Sequence, residues 1–159
     1  EAHKDLAKAI QSRSVKKTYL ALVKGVFAST KGTIEAPLIK SRQSGMTQVV
    51  AAQSKDAKAS TTHFEVLKTY QSHASLVQVD LVTGRMHQIR VHFAAIGHPV
   101  VGDEVYGDRE TNDVFRNKGL RRQFLHAHRL AFKHPRTKTV VRYEAPLPAD
   151  LVETLNKLS

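Results

Sequence analysis

The densest group of chemically capable side chains lies in the stretch TGRMHQIRVH, which begins at Thr83. Gly84 stands where a strand pattern gives way to a helix pattern, and glycine lets a backbone turn come close to a ligand. The N-terminus of the following helix presents free N–H groups and a partial positive charge. Five polar side chains crowd this turn and the first two helical turns: Arg85, His87, Gln88, Arg90 and His92. The segment is therefore a candidate anion-binding site, with a solvated polar helix face as the alternative.

A tyrosine next to two cations is the second candidate. Tyr19 follows Lys16 and Lys17 in the segment KKTYLALV. A tyrosine within a strand is usually part of the core, with its hydroxyl hydrogen-bonded nearby. Beside cations, its ring can instead stack on a nucleobase, or its phenol can pass a proton. The residues alone leave both interpretations open.

The net charge indicates the class of partner. The chain carries 25 Lys and Arg against 14 Asp and Glu, a formal charge of +11. This excess favours a polyanionic partner, with nucleic acid first. Six cations are candidates for binding a phosphate backbone, or are ordinary solvated surface: Lys16, Lys17, Lys40, Arg42, Arg121 and Arg122. No apolar run approaches the roughly 20 residues of a membrane span, and no signal peptide is visible, so we expect a cytoplasmic protein without membrane association.

The histidines do not form a recognisable metal-binding pattern. His126 and His128 are a short-spaced pair, and the chain has no cysteine. A metal site would therefore need histidines and carboxylates, but the neighbouring Arg129 and Leu130 add no ligand, and no H-E-x-x-H pattern occurs. We expect no metal and no cofactor. A histidine-dependent metal hydrolase or nuclease is the competing hypothesis, which metal analysis of the protein would decide.

The elements that must position these residues form one domain over 1–159. The pattern predicts helices at 3–12, 86–96 and 149–158. Strands are predicted at 16–23, 33–35, 47–52, 60–68, 75–82, 124–133 and 138–145. Strand 16–23 is apolar on both faces, which is typical of a central buried strand. Residues 37–46 are predicted to be a basic loop and 107–123 a long polar loop. Successive, mostly antiparallel strands with a few helices indicate an α+β domain built on a sheet.

Three segments resemble one known family. They are KKTYLALVKG at 16–25, VTGRMHQIRVHFAAIGHPVVGDEVYGDRE at 82–110 and FLHAHRLAFKHP at 124–135. Together they are similar to the catalytic domain of RluA-type pseudouridine synthases, and most similar to the RluC-like branch. The resemblance implies the pseudouridine synthase fold, a mixed, mostly antiparallel sheet with flanking helices. It also implies an isomerase that detaches a uracil base from C1′ and rejoins it through C5, without metal or cofactor. The implied substrate is large-subunit (23S) ribosomal RNA, with transfer RNA as an alternative.

The resemblance also suggests roles for individual residues. Tyr19 resembles the active-site tyrosine that stacks on the target base and helps to remove its C5 proton. Arg90 resembles the arginine that pairs with the catalytic aspartate and with RNA phosphate. We expect Leu22 or Val23 to supply an apolar floor for the base, whereas Asp103 resembles a structural position and is not a candidate nucleophile. Three further residues are expected to bind substrate in roles that the resemblance does not assign: Arg85, His87 and Gln88.

The family's H-R-L-D motif, which carries the catalytic aspartate, does not occur in this sequence. In the family, that motif lies upstream of the helix that corresponds to 3–12. We therefore expect the chain to be the C-terminal part of a catalytic domain, separated from its aspartate motif and from an S4-type RNA-binding domain. The chain alone should be inactive and monomeric. A non-catalytic RNA-binding module is the alternative, motivated by the charge and the missing motif.

Overall fold

An apolar strand at the centre of the sheet organises the fold. In the computed structural model, which describes residues 2–11, 15–71 and 73–159, strand β1 spans Lys16–Lys24. It pairs antiparallel with a strand on each side, and residues on both of its faces are buried. This arrangement confirms the prediction of a central strand, because a strand covered on both faces needs apolar residues on both.

The described residues form four helices and eight strands. The helices are α1 (Ala2–Gln11), α2 (Gln88–Ala95), α3 (Arg109–Asn117) and α4 (Ala149–Asn156). The strands after β1 are β2 (Lys31–Glu35), β3 (Leu38–Lys40), β4 (Thr47–Val49), β5 (Thr61–Tyr70), β6 (Ala74–Leu81), β7 (Leu125–Lys133) and β8 (Val140–Glu144). None of the described helices is long and apolar enough to cross a membrane.

Six strands make one antiparallel sheet in the order β2-β5-β6-β1-β7-β8, and β3 and β4 form a separate hairpin. The predicted α+β class and mostly antiparallel sheet are therefore confirmed. Successive residues of β1 point to opposite faces, so the sheet separates two cores. On one face, Val23 packs with Phe93 of α2. On the other, Leu22 packs with Phe115 of α3 and Leu151 of α4.

The region expected to be a long polar loop at 107–123 contains helix α3, so that prediction is wrong. The helix begins after Asp108, whose side chain accepts a hydrogen bond from the backbone N–H of Thr111 at 2.9 Å. A cap of this kind satisfies one of the free donors of the first turn. The helix RETNDVFRN buries Asn112 and Phe115, which is too little apolar periodicity to mark a helix in the sequence.

Several other bounds differ from expectation by one to three residues. Two differences have a clear structural cause. Strand β3 lies within the predicted basic loop at 37–46, where its pairing with β4 gives it regular structure. Helix α2 begins at Gln88 rather than at Met86 because His87 adopts a left-handed conformation, with φ of 56°. The predicted end of the first helix, at residue 12, lies outside the described residues.

Candidate active site

Tyr19 and Arg90 line the same open cleft, which has a volume of about 300 Å³. Strand β1 carries Tyr19, and its antiparallel partner β6 leads through the turn at 82–87 into α2, which carries Arg90. Sheet pairing therefore fixes the distance between two residues that are far apart in the chain. The other lining residues are Leu81, Arg85, His87, Gln88, Ile89, Gln123 and Leu125. The volume lies at the lower end of the range for small-molecule sites, roughly 300–1,000 Å³.

The ring of Tyr19 is half-buried and packs against the core beneath α2. Burial raises the pKa of its phenol, so the hydroxyl is protonated at neutral pH. A neutral phenol is a weak base, but its ring is a good stacking surface. Opposite Tyr19, strand β7 carries one extra residue, because Thr18 pairs with Arg129 whereas Tyr19 pairs with Ala127. This bulge twists the strand locally beside the cleft.

The guanidinium of Arg90 is held by a buried carboxylate. Its Nε donates to Oδ2 of Asp103 at 2.7 Å, and its Nη2 donates to Oδ1 at 2.8 Å. The side chains are 13% and 1% exposed, respectively. Burial alone would raise the pKa of Asp103, but hydrogen bonds from Arg90 and from the backbone N–H groups of Tyr106 and Val105 hold it below its ordinary value. Both groups are therefore ionised at neutral pH. The hydrogen bonds that Arg90 donates to Asp103 raise the pKa of Arg90 in turn.

His87 reaches the cleft from the N-cap of α2. Its Nδ1 lies 3.0 Å from the hydroxyl of Tyr106, which also accepts the backbone N–H of Thr47 at 3.0 Å. Desolvation, followed by the positive charges of Arg90 and Lys40, lowers the pKa of His87 in spite of the nearby Asp103. His87 is therefore a neutral imidazole at neutral pH. Its left-handed backbone is uncommon for a residue other than glycine, and such outliers concentrate at functional sites.

A family model described as RNA pseudouridylate synthase matches residues 1–95. The chain belongs to this family.

Its relatives among pseudouridine synthases agree. The chain is 40% identical over 157 residues to an RNA pseudouridine synthase of Bacillus subtilis, YlyB. The alignment covers 99% of this chain and 48% of that protein. It is 42% identical over 160 residues to the ribosomal large subunit pseudouridine synthase C of Escherichia coli, covering 99% and 49%. The RluA-type, RluC-like resemblance is thus confirmed. The chain spans about half the length of the curated relatives it matches.

Solved structures of family members have the same fold. The human RNA pseudouridylate synthase domain containing 1 superposes with a TM-score of 0.75 at 31% identity, covering 91% of this chain and 60% of that chain. The human RNA pseudouridylate synthase domain containing 4 superposes with a TM-score of 0.77 at 24% identity, covering 98% and 67%. The second likeness bears on the fold alone. Together they confirm the pseudouridine synthase fold.

In this pseudouridine synthase domain, Leu22 and Val23 do not lie at the cleft, which corrects our expectation of an apolar floor from them. Both are 0% exposed and belong to the two cores. Val23 is four residues from Tyr19, or about 13 Å along a strand, so sequence proximity does not bring it to the ring. The apolar surface beside Tyr19 comes instead from Leu81 and Leu125, which line the cleft.

Gln88 is a structural member of the site and not a group available to substrate, contrary to expectation. It is 2% exposed, and both ends of its amide are hydrogen-bonded. Its Nε2 donates to the carbonyl of Thr61 at 3.0 Å and to the hydroxyl of Thr62 at 2.9 Å. Its Oε1 accepts from the hydroxyl of Thr83 at 2.7 Å and from the backbone N–H of Arg85 at 3.0 Å. Gln88 therefore joins the turn before α2 to strand β5.

The predicted cations divide between surfaces. Lys17 approaches the turn beside the cleft, where a Cβ at Gly84 would collide with its ammonium group. Lys16 lines a different cleft with Thr18, as the alternation of β1 requires. Lys40 is near enough to His87 to lower its pKa, and Arg42 is exposed in the turn after β3.

Arg121 and Arg122 line a groove of about 390 Å³ that shares Arg90 with the Tyr19 cleft. The guanidinium of Arg122 forms an ion pair with Asp150, with Nε 2.8 Å from Oδ2. The negative charge of Asp150 offsets the attraction that Arg122 would exert on an RNA phosphate. Arg121 donates to the carbonyl of Arg116 at 3.0 Å. The histidine pair of the sequence also has structural partners: His126 and His128 both hydrogen bond to the carbonyl of Ala145 at 2.8 Å.

Sequence reasoning missed Tyr106. The residue contacts both Arg90 and His87, with its ring 4.9 Å from Cζ of Arg90. The available signal was the segment GDEVYG, in which two glycines bracket Asp103 and Tyr106. A Cβ at either glycine would collide with backbone, so this turn is packed too tightly for any other residue there.

Proposed function

We propose that this chain belongs to an RNA pseudouridine synthase and forms the part of its active site that receives an everted uridine. The observation that carries the proposal is the cleft shared by Tyr19 and Arg90. A uridine within folded RNA must leave its helix before the glycosidic bond can be reached, and a flipped base needs a stacking surface. The half-buried ring of Tyr19, flanked by Leu81 and Leu125, supplies one.

The reaction breaks the C1′–N1 bond and forms a C1′–C5 bond, while C5 loses a proton and N1 gains one. We propose that Arg90 orients an aspartate nucleophile and contacts RNA phosphate. A guanidinium suits this task because its donors form a rigid fork. We further propose that the aspartate comes from a part of the protein outside these 159 residues, since no H-R-L-D motif occurs in them and the chain covers 48% of one relative and 49% of another. On this proposal the isolated chain has no isomerase activity.

The proposed substrate is large-subunit ribosomal RNA. Support comes from the 42% identity to the large-subunit synthase of E. coli and from the formal charge of +11. Positive groups near the cleft would bind phosphates without reading sequence. A ribosomal substrate would place the protein in the cytoplasm, and we propose that it acts there as a monomer.

The test is isomerase activity of the full-length protein that contains this chain. Transcribed ribosomal RNA, tritiated at uridine C5, should release tritium to solvent because C5 loses its proton. Transfer RNA labelled in the same way is the parallel substrate. Release from ribosomal RNA alone supports the proposal, whereas release from transfer RNA alone would overturn the substrate assignment. Arg90→Ala tests the orienting role and Tyr19→Ala tests the stacking role, and wild-type turnover in both would refute them. Tyr19→Phe, which keeps the ring, tests separately whether the phenol helps to remove the C5 proton.

A non-catalytic RNA-binding module is the second candidate. The observation in its favour is that the sequence combines a charge of +11 with no H-R-L-D motif. The coding sequence upstream of Glu1 separates the two candidates. An in-frame H-R-L-D motif there supports the synthase, and its absence together with undetectable tritium release supports the binding module.

A further inference from the structure

The tight turn at 102–107 lies behind Arg90 and contributes two side chains to it, Asp103 and Tyr106. Gly102 has φ of 82°, and a Cβ on it would collide with the backbone carbonyl of Arg122. Asn112 fixes the turn from α3, since its Oδ1 accepts the N–H of Gly102 at 2.8 Å and its Nδ2 donates to the carbonyl of Asp103 at 2.8 Å. The two side chains are thus presented from a rigid support.

Asp103 determines the orientation of the Arg90 guanidinium. Its carboxylate accepts two hydrogen bonds from Arg90 and two from backbone N–H groups, those of Val105 and Tyr106, each at 3.0 Å. Two parallel contacts fix the plane of the guanidinium, which one contact would leave to rotate. Because Nε and Nη2 face Asp103, the remaining nitrogen is Nη1, which makes no hydrogen bond to any residue within the described ranges. Arg90 also lines the cleft, so the two N–H groups of Nη1 and the second N–H group of Nη2 are the donors left for a ligand there.

Tyr106 supports the same guanidinium from its ring face and holds His87 with its hydroxyl. The ring centroid is 4.9 Å from Cζ of Arg90, within the range of a cation–π contact. The hydroxyl oxygen already accepts the N–H of Thr47, so its own proton is available to Nδ1 of His87. A proton donated to Nδ1 leaves the imidazole hydrogen on Nε2. His87 then offers an N–H donor at the cleft.

We propose that Asp103 and Tyr106 are positioning residues for RNA: Asp103 directs Nη1 of Arg90 into the cleft, and Tyr106 fixes His87 in the tautomer that donates from Nε2 to an oxygen of the bound nucleotide. This inference rests on the proposed function and goes beyond it, because it assigns work to two residues that do not touch substrate. It also gives a reason for the presence of both segments in this chain: TGRMHQIR carries Arg90 and His87, and GDEVYG carries the side chains that orient them.

The first test separates orientation from folding by chemical rescue in the full-length enzyme. Arg90→Ala should lose most of its single-turnover rate, and millimolar guanidinium chloride should restore part of it, because Asp103 can bind and orient the added cation. In Arg90→Ala/Asp103→Asn the same additive should restore nothing. Asp103→Asn alone should lower the single-turnover rate by about 10- to 100-fold, the scale expected when a reacting group is displaced by roughly 1 Å.

The second test concerns Tyr106. Tyr106→Phe keeps the ring over Arg90 and removes the hydroxyl. The ¹⁵N signals of His87 should change from one tautomer to a mixture, and KM for RNA should rise by roughly 2- to 10-fold with kcat little changed, which corresponds to the loss of one hydrogen bond. Asp108→Asn is a matched control, since this carboxylate caps α3 and does not contact Arg90, and it should leave both kinetic constants unchanged.

The outcomes distinguish the two levels of the proposal. If Arg90→Ala keeps wild-type activity, the proposed role of Arg90 itself fails. If Arg90→Ala is impaired but rescue is equal with and without Asp103, the positioning role of Asp103 is overturned while the proposed function stands. If Tyr106→Phe leaves the tautomer of His87 and KM unchanged, the role of Tyr106 is overturned in the same way.

Discussion

Replacing Arg90 by alanine removes one partner of a buried ion pair, and the structure gives the size of the effect on stability. Asp103 is 1% exposed beside Arg90, so its carboxylate loses the charge that compensates its burial when the guanidinium is removed. Removing one partner of a buried pair typically costs about 3–5 kcal/mol in the free energy of unfolding. Arg90→Lys keeps the charge but cannot form both contacts, and the loss of one charge-assisted hydrogen bond should cost about 1.5–3 kcal/mol.

The effect on stability should depend on pH. In the wild type the pKa of Asp103 is lowered, so its contribution is present above the ordinary carboxyl pKa and is lost as pH falls through the folded value. In Arg90→Ala, burial is opposed by the two backbone hydrogen bonds alone, so the pKa of Asp103 is higher than in the wild type. The variant therefore binds a proton earlier on acidification. The stability difference should be largest near neutral pH and shrink toward pH 4 and below.

Urea unfolding of the wild type and Arg90→Ala, at neutral pH and in acid, measures this difference. Single-turnover tritium release from RNA, at a temperature where both proteins are folded, measures the separate effect on activity. We expect a loss of about 10²–10³-fold in rate for Arg90→Ala, the scale for removing one preorganised donor. A stability difference that is the same at both pH values would refute the reasoning about Asp103. Equal rates would refute the role of Arg90.

Three further predictions concern other residues of the cleft and the core. Tyr19→Phe keeps the stacking ring and should bind RNA as the wild type does. Tyr19→Ala should weaken binding by about 1–3 kcal/mol, as titration with labelled RNA would show. Equal affinities of Tyr19→Ala and the wild type would exclude stacking on this ring. Gln88→Leu removes the acceptor of the Thr83 hydroxyl proton and of the Arg85 backbone N–H, whereas the Thr62 hydroxyl keeps its contact with His92. It should cost about 1–3 kcal/mol for each buried donor left unsatisfied, as urea unfolding would measure. An unchanged midpoint would contradict the hydrogen-bond network. Leu22→Ala should cost about 2–5 kcal/mol of stability with no change in RNA affinity, because Leu22 lies in the core, and a selective loss of affinity in folded protein would restore it to the cleft.

Several features of the fold were predictable because they follow from local patterns. The two apolar faces of β1 predicted a central strand, and the change of period after Val82 predicted a helix that carries Arg90. The motif residues of the first and second segments do meet at one cleft. Each of these features depends on periodicity or on a specific motif, and both are visible in one sequence.

Other features depend on contacts that no local pattern reveals. Helix α3 is held by the Asp108 cap and by one buried aromatic, Phe115. A single buried apolar residue does not make the repeated apolar pattern by which a helix is predicted from sequence. Leu22 and Val23 are near Tyr19 in sequence, but the strand carries them away from its ring into two separate cores. Such placements follow from the tertiary packing of the sheet against its helices.

Tyr106 is the most informative omission. Nothing in its own neighbourhood indicates a partner, because its hydroxyl bonds to Thr47 and to His87 from other elements. For Gln88 the error was the opposite, because a residue with structural partners was expected to bind substrate. Its place in the polar segment suggested a group open to substrate, but four contacts with β5 and the preceding turn fill its amide. Polar residues can be located by motif, but their partners depend on the fold.

The most direct measurement is a structure of the full-length enzyme bound to RNA whose target uridine carries fluorine at C5. Fluorine replaces the C5 hydrogen, so the reaction cannot be completed by proton loss and the base should remain in the site. The pyrimidine ring is expected in van der Waals contact with the phenol of Tyr19, with Nη1 of Arg90 within hydrogen-bonding distance of the nucleotide's phosphate or of a carboxylate beside C1′. A target base bound outside this cleft, with neither side chain in contact, would contradict the account.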